Sequence, residues 1–353
     1  MSVKPNRPKI IDTEIEVFPI NKKTGKTLII DALLSDNYVL IEDFYSTGLK
    51  VLFELKKNIF TKTDNNDFKN ERKKRSVYHL ASNKILIPVE TNKIALRKAP
   101  DIEWLKILYP ETSNFLLPLP QIQGLNSSWQ WYVKGIKYPV LNYKIFPYYG
   151  TYFPTRFEHL IIFENWLKTY NDKKTQAIDI GTGCGVLTFQ LINNGFKKVY
   201  ASDINENSII SVSENADKLG FNDKIILKHD DLFDNCNIKA DLIVFNPPWL
   251  PANKDNTIID KAIYYEPDFF ERFFRNAVNH LNDDGKIAIL FSNFAQSTGL
   301  TKNNPIEKEL ADNNIYKQTQ LIKSKVKKSS RKTKRKDWRK NEYVELRILE
   351  KRV

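Results

Sequence analysis

Ala177-Ile178-Asp179-Ile180-Gly181-Thr182-Gly183-Cys184-Gly185-Val186 is the stretch on which the fold turns. Gln176–Ile180 is a short apolar run that reads as a buried strand. The glycines stop it, and Val186–Ile192 continues with helical spacing until Asn194-Gly195 closes it. A glycine turn between a buried strand and a helix lets a ligand approach bare backbone, with the first helical N–H groups pointing at it. The spacing here is G-x-G-x-G rather than the G-x-G-x-x-G of dinucleotide folds, so the turn marks a ligand site without choosing the ligand.

Outward from this turn the pattern of strand, turn and helix repeats, which is how a parallel sheet covered by helices reads. Lys198–Ser202 predicts a second strand, Asn205–Leu219 a second helix and Lys224–Lys228 a third strand ending near Asp230 and Asp231. Asp241–Phe245 is a fourth, nearly all apolar. Pro267–Leu281 predicts a helix, Gly285–Phe291 a fifth strand and Pro305–Asp312 another helix. Lys317–Val326 and Glu342–Leu349 alternate as a closing hairpin. Asp203 ends the second strand 22 residues beyond Gly181, an offset suited to accepting hydrogen bonds from both hydroxyls of a ribose.

The first 145 residues give weaker signals and read as α+β. Thr27–Ile30, Lys84–Val89 and Ile94–Leu96 look strand-like, Ile102–Leu108 helical, Lys56–Arg75 an exposed loop, and Trp129–Phe153 extended. Two domains are expected, 1–145 for recognition and 146–353 for chemistry, in keeping with roughly 100–200 residues per domain.

With 41% hydrophobic and 12% aromatic residues the chain can bury a sizeable core. No apolar run approaches the roughly 20 residues of a membrane span, and no secretory signal opens the sequence. Cys184 and Cys236 lack the number and spacing of a disulfide framework or zinc site, and a cytoplasmic protein with free thiols is expected. His79, His159, His229 and His280 show no ligand spacing, so no metal is expected. Ten of the thirteen net positive charges lie between Lys323 and Lys340, where eleven Lys or Arg face one Asp. A charge run of this density suits phosphate contact through Lys323, Lys325, Lys327, Lys328, Arg331, Lys332, Lys334, Arg335, Lys336, Arg339 and Lys340.

The most specific signal is Asn246-Pro247-Pro248-Trp249 after the fourth strand. Consecutive prolines stiffen the turn and fix both the Asn246 side chain and the Pro247 carbonyl. An –NH2 conjugated to a ring or carbonyl is a poor nucleophile because its lone pair is delocalised. Two acceptors that take both its protons favour a pyramidal nitrogen with the lone pair aimed at an electrophile. Trp249 offers a flat face on which a base or amide could stack.

Together Asp179–Gly185, Asp203, Asp231-Leu232-Phe233 and Asn246–Trp249 resemble the class I S-adenosylmethionine-dependent methyltransferases, in particular the small-domain type that includes N5-glutamine, N6-adenine and N2-guanine enzymes. The resemblance covers Tyr149 to the end. It implies a Rossmann-like seven-stranded α/β sheet with a reversed last strand, and S-adenosylmethionine as cofactor. It also implies roles: Asp179 and the turn Gly181, Thr182, Gly183 and Gly185 hold the methionine part, Asp203 with Ile204 the ribose side, and Asp231 with Leu232 the adenine, or Asp230 if the register slips by one. Asn246, Pro247 and Trp249 are the catalytic set, with Asn246 also beside the cofactor. Thr155 and Arg156 fall in a segment that folds over cofactor and substrate in the family.

Asn246–Pro251 with Ala262–Pro267 is further similar to bacterial methyltransferases that carry an extra N-terminal domain. The glutamine enzymes usually have Tyr where Trp249 stands. The expected activity is N-methylation of an exocyclic amine in RNA, ahead of DNA, with the basic run holding phosphates. A protein amide as substrate, a nucleic-acid-binding protein with an inactive methyltransferase fold, and a nicotinamide oxidoreductase are the other readings.

Overall fold

A computed structural model describes residues 4–60, 68–252, 262–326 and 341–352. The chain divides into two units, Pro5–Lys134 and the residues from Gly135 onward. The break falls at 134/135 rather than 145/146 because Tyr138, Leu141 and Ile145 are buried in the hydrophobic core of the second unit.

The first unit runs β1 (Phe18–Ile20), α1 (Lys26–Leu34), β2 (Val39–Ile41), α2 (Tyr45–Ile59), α3 (Phe68–Ser82), β3 (Ile85–Glu90), β4 (Lys93–Ile94), α4 (Trp104–Leu108), β5 (Phe115–Pro118) and α5 (Leu119–Lys134). Strands β1, β2 and β3 are parallel with helices between them, while β4 and β5 pair antiparallel with β3. Three expectations are corrected. Thr27–Ile30 lies in α1, because Ile29, Ile30 and Leu33 form a buried helical stripe. Lys56–Ile59 and Phe68–Arg75 are helical rather than looped, Lys, Arg and Glu being good helix formers; residues 61–67 lie outside the described residues. Trp129–Lys134 closes α5 instead of extending, since Trp129 and Tyr132, three apart on one helix face, both pack on Trp104.

The second unit contains β6 (Ile136–Lys137), β7 (Lys144–Ile145), α6 (Glu158–Leu167), β8 (Gln176–Ile180), α7 (Val186–Asn193), β9 (Lys198–Asp203), α8 (Glu206–Leu219), β10 (Ile225–His229) and β11 (Ala240–Phe245). It continues with β12 (Leu250–Pro251), β13 (Tyr264–Tyr265), α9 (Phe269–Ala277), β14 (Leu281–Ser292), α10 (Phe294–Ser297), α11 (Pro305–Asn313), β15 (Tyr316–Lys325) and β16 (Tyr343–Lys351). Seven strands form one sheet in the order β10-β9-β8-β11-β14-β16-β15. All are parallel except β16, which is antiparallel to both β14 and β15.

Alternation along β11 shows how the sheet is buried on both faces. Leu242 and Val244 join the core beneath α6, α7 and α8, while Ile243 and Phe245 join the core beneath α9 and α11. Two buried faces require continuous apolar strands, which is why β11 and β14 were legible as runs. Among the described residues no helix is long and apolar enough to cross a membrane.

Candidate functional site

The sheet changes direction of winding between β8 and β11, and at such a switch point the crevice outside the carboxyl ends of the strands binds ligands. The glycine turn leaves β8 there and Asn246 follows β11 on the neighbouring strand. Gly181 has φ 68° and a Cβ built on it would meet nothing within 4 Å, so its backbone faces open space. Gly183 differs: at φ 53° a Cβ would lie 2.9 Å from the Tyr152 carbonyl oxygen, so only glycine fits there. Thr182 N–H donates to the Ser202 carbonyl at 2.9 Å and Gly183 N–H to Asp203 Oδ2 at 2.8 Å, which ties the turn to β9.

Asp179 is fully buried at the end of β8. Its Oδ2 accepts from Thr188 Oγ1 at 2.6 Å, while its Oδ1 has no partner among the described residues. Burial pushes this carboxyl up to about 7, against the opposing pull of the Thr188 and Thr182 hydroxyls. Asp203 is raised by burial as well, although the N–H groups of Asn205 and Gly183 draw it down. The Asp203 charge further disfavours ionisation of Asp179, and no Lys or Arg pairs with either among the described residues. Two such carboxylates beside an open glycine turn make a site for a cationic ligand. The orphaned Asp179 oxygen and the bare Gly181 backbone fit the ammonium-bearing part of S-adenosylmethionine.

The two acids after β10 are not equivalent. Asp230 is buried and occupied: its carboxylate accepts from Tyr200 Oη at 3.1 Å, Asn235 N at 2.9 Å and Asn235 Nδ2 at 2.7 Å. Asp231 stays one-third exposed and is gripped by Arg272 of α9, whose Nη2 donates at 3.1 and 3.0 Å to the two carboxylate oxygens. Leu232 follows at φ 54°, a left-handed conformation that a Leu rarely adopts, and Ile204 is a 40% exposed apolar side chain after Asp203.

Asn246 is partly exposed, and its Oδ1 accepts from the Trp249 indole N–H at 3.2 Å. The Trp249 ring packs against both hydrophobic cores and stands perpendicular to His159 with centroids 5.5 Å apart. Its placement therefore makes it a support for Asn246 as well as an aromatic surface. One Oδ1 lone pair remains for a ligand N–H. His159 is buried with neither ring nitrogen partnered, and burial lowers it to about 4, which keeps it neutral. His229 and His280 bond the carbonyls of Ile204 and Ile238, and no cluster of metal ligands occurs among the described residues. Cys184, buried inside the turn, is held as a thiol by burial, which pushes it up to about 12.

The segment before α6 is strapped along α8. Asn215 bonds both N–H and carbonyl of Phe146, Ser211 takes the Tyr148 N–H, Asn207 bonds the Tyr149 carbonyl and Asn205 the Gly150 carbonyl. The strap ends where the Tyr152 carbonyl accepts from Cys184 N–H at 3.0 Å, beside the glycine turn. Thr155 is exposed beyond it, and Arg156 donates to both oxygens of buried Glu342 at 3.2 and 3.3 Å. Strand β15 runs parallel to β14, so Lys323 and Lys325 leave the sheet at the same carboxyl edge as Asn246. Lys323 lies over the Tyr343 ring at 4.6 Å. Lys327, Lys328, Arg331, Lys332, Lys334, Arg335, Lys336, Arg339 and Lys340 lie outside the described residues. Sequence reasoning missed Thr188, Arg272 and the strap. Asn207, Ser211 and Asn215 recur every four residues on one helix face, a signal that was there to read.

This strand order, with one reversed strand and a glycine turn at the switch point, is the seven-stranded Rossmann-like sheet that the sequence resemblance implies. Residues 162–323 match the family model described as methyltransferase small domain. That part of the chain is similar to the methyltransferase small domain, whose methyl donor is S-adenosylmethionine. A protein of Methanocaldococcus jannaschii provisionally named protein N5-glutamine methyltransferase is 34% identical over 127 residues, covering 34% of this chain and 63% of its own. The release factor glutamine methyltransferase of Lactococcus lactis subsp. lactis is 32% identical over 130 residues, covering 33% of this chain and 47% of its own. The chain thus spans between about half and under two thirds of these relatives. The solved ribosomal protein L11 methylase from Lactobacillus delbrueckii subsp. bulgaricus is 22% identical with a TM-score of 0.37, covering 55% of this chain and 77% of that one.

Proposed function

We propose that the second unit is an S-adenosylmethionine-dependent N-methyltransferase that acts on an exocyclic amine of a nucleic-acid base, RNA ahead of DNA. The observation that carries the chemistry is Asn246, held by the Trp249 N–H on the strand next to the glycine turn. S-adenosylmethionine, when bound, supplies an electrophilic methyl on a cationic sulfur. Asp179 and the turn from Gly181 to Gly185 hold its amino-acid part, Asp203 the ribose, and Asp231 with Leu232 the adenine.

Asn246 Oδ1, through its remaining lone pair, and the Pro247 carbonyl accept the two amine protons and hold the nitrogen lone pair toward the methyl. Alkylated nitrogen is acidic enough to release its proton to water, so no separate base is assigned. RNA is put first because its single-stranded loops present splayed, accessible bases. The basic run 323–340, whose first members Lys323 and Lys325 lie in β15 near this edge, supplies phosphate contacts.

A protein amide is the second reading, favoured by the glutamine methyltransferases among the relatives. Transfer of labelled methyl to total RNA, DNA and protein from cells lacking this protein separates the two. Label in RNA or DNA that Asn246→Ala abolishes supports the first reading, and label in protein alone replaces it. Neutralising the Lys and Arg of 323–340 is expected to weaken RNA binding about tenfold or more and flatten its salt dependence, with S-adenosylhomocysteine affinity unchanged. Unaltered RNA affinity would remove that run from the substrate site.

A further inference from the structure

Arg272 has no part in the sequence motifs, yet its Nη2 donates to both carboxylate oxygens of Asp231 at the ligand edge of the sheet. Its helix is firmly anchored: Phe270, Phe273, Phe274 and Ala277 of α9 are buried against the sheet, which leaves Arg272 on the opposite, partly exposed side. Asp230, the neighbouring acid, is saturated by Tyr200 and Asn235. Asp231 is therefore the acid on this loop with acceptor capacity to spare.

We infer that Arg272 is a positioning residue for the cofactor's purine: by gripping both oxygens of Asp231 it holds that carboxylate as a fixed acceptor, which selects a purine bearing an exocyclic amine over one bearing an oxygen. The inference rests on the methyltransferase reading above. An ionised carboxylate has four lone-pair sites, and Nη2 of Arg272 uses one on each oxygen. The remaining two can only accept. Adenine offers N–H groups to such an acceptor, whereas hypoxanthine offers an oxygen whose lone pairs are repelled. Without Arg272 the carboxylate is free to rotate and no longer presents its remaining lone pairs in a fixed direction. Asp268 and Glu266, which also attract Arg272, would then add negative charge nearby with nothing to balance it.

The test needs no methyl acceptor. Binding of S-adenosylhomocysteine and of S-inosylhomocysteine is measured by calorimetry on the full chain, as wild type, Arg272→Leu and Arg272→Lys. Wild type is expected to prefer the adenine compound by about tenfold or more, the scale set by one unpaired buried polar contact. Arg272→Leu should lower S-adenosylhomocysteine affinity about tenfold and bring the preference close to one. Arg272→Lys, which keeps the charge but not the planar guanidinium, should restore part of both. Two results overturn the inference. One is an Arg272→Leu chain that binds S-adenosylhomocysteine as tightly as wild type or more so, which would make Arg272 a competitor for Asp231. The other is an unchanged preference in a variant whose overall affinity falls, which would leave Arg272 a structural role only. A wild-type chain that binds neither compound fails differently, because it removes the methyltransferase reading itself.

Discussion

Asn246→Ala is expected to lower kcat by about 10²–10³-fold, the usual cost of removing one preorganised hydrogen-bonding group at a reacting centre. S-adenosylhomocysteine affinity should stay within a few-fold of wild type. The argument is geometric: Oδ1 already accepts from Trp249, so the side chain is aimed before any substrate arrives. Trp249→Phe keeps an aromatic ring but removes the N–H, and should reproduce part of the kcat loss with little change in KM. Single-turnover rates with the acceptor identified by labelling, beside calorimetry for the cofactor product, give both numbers. A collapse of cofactor binding in Asn246→Ala, with turnover of the bound fraction intact, would move Asn246 from the reacting amine to the cofactor.

A second large effect is expected at Asp179. Its carboxyl is pushed up to about 7 by burial, and one oxygen has no partner. In the unfolded chain the same group titrates near 3.9. Between those values the folded chain holds a proton that the unfolded chain has released. Unliganded stability from this group is therefore greatest below about pH 4, falls as pH rises toward 7, and levels off above it.

An ammonium ligand demands the ionised form, so cofactor affinity runs the other way and should fall roughly tenfold per unit as pH drops below about 7. Asp179→Asn abolishes the titration. It should cost about 10²-fold or more in S-adenosylhomocysteine affinity, on the scale of breaking a buried charge pair. The same variant should unfold at higher temperature than unliganded wild type at pH 8. Wild-type affinity that stays flat from about pH 6 to 8 would detach Asp179 from the ammonium.

The second unit was legible because its chemistry is local. β8 to α7 is one strand, one turn and one helix, and each boundary is marked by residues within a few positions. The strands of this sheet are buried on both faces and so appear as unbroken apolar runs. The first unit hid its helices for the opposite reason. Leu28 in α1 and Phe53 in α2 are exposed apolar residues that blur the periodicity, and α3 carries Lys, Arg and Asn in a sequence with little apolar contrast. At the site, residues adjacent in sequence to a motif were found and residues that reach it from afar were not. Arg272 lies 41 positions from Asp231, and no spacing rule connects them.

The strap along α8 bears on how short the second unit can be made. The side chains of Asn207, Ser211 and Asn215 are buried, with partners in Phe146, Tyr148 and Tyr149. A chain truncated to begin at Phe157 would lose these bonds to the α8 face and, with them, the buried side chains of Tyr138, Leu141, Ile145 and Tyr148, at about 1.5–3 kcal/mol for each large apolar side chain. That approaches the whole stability of an ordinary domain, about 5–15 kcal/mol. The likeness to the methyltransferase small domain begins only at residue 162. The smallest piece of this protein expected to fold is accordingly longer than the piece matching the family model, and should start ahead of Ile136.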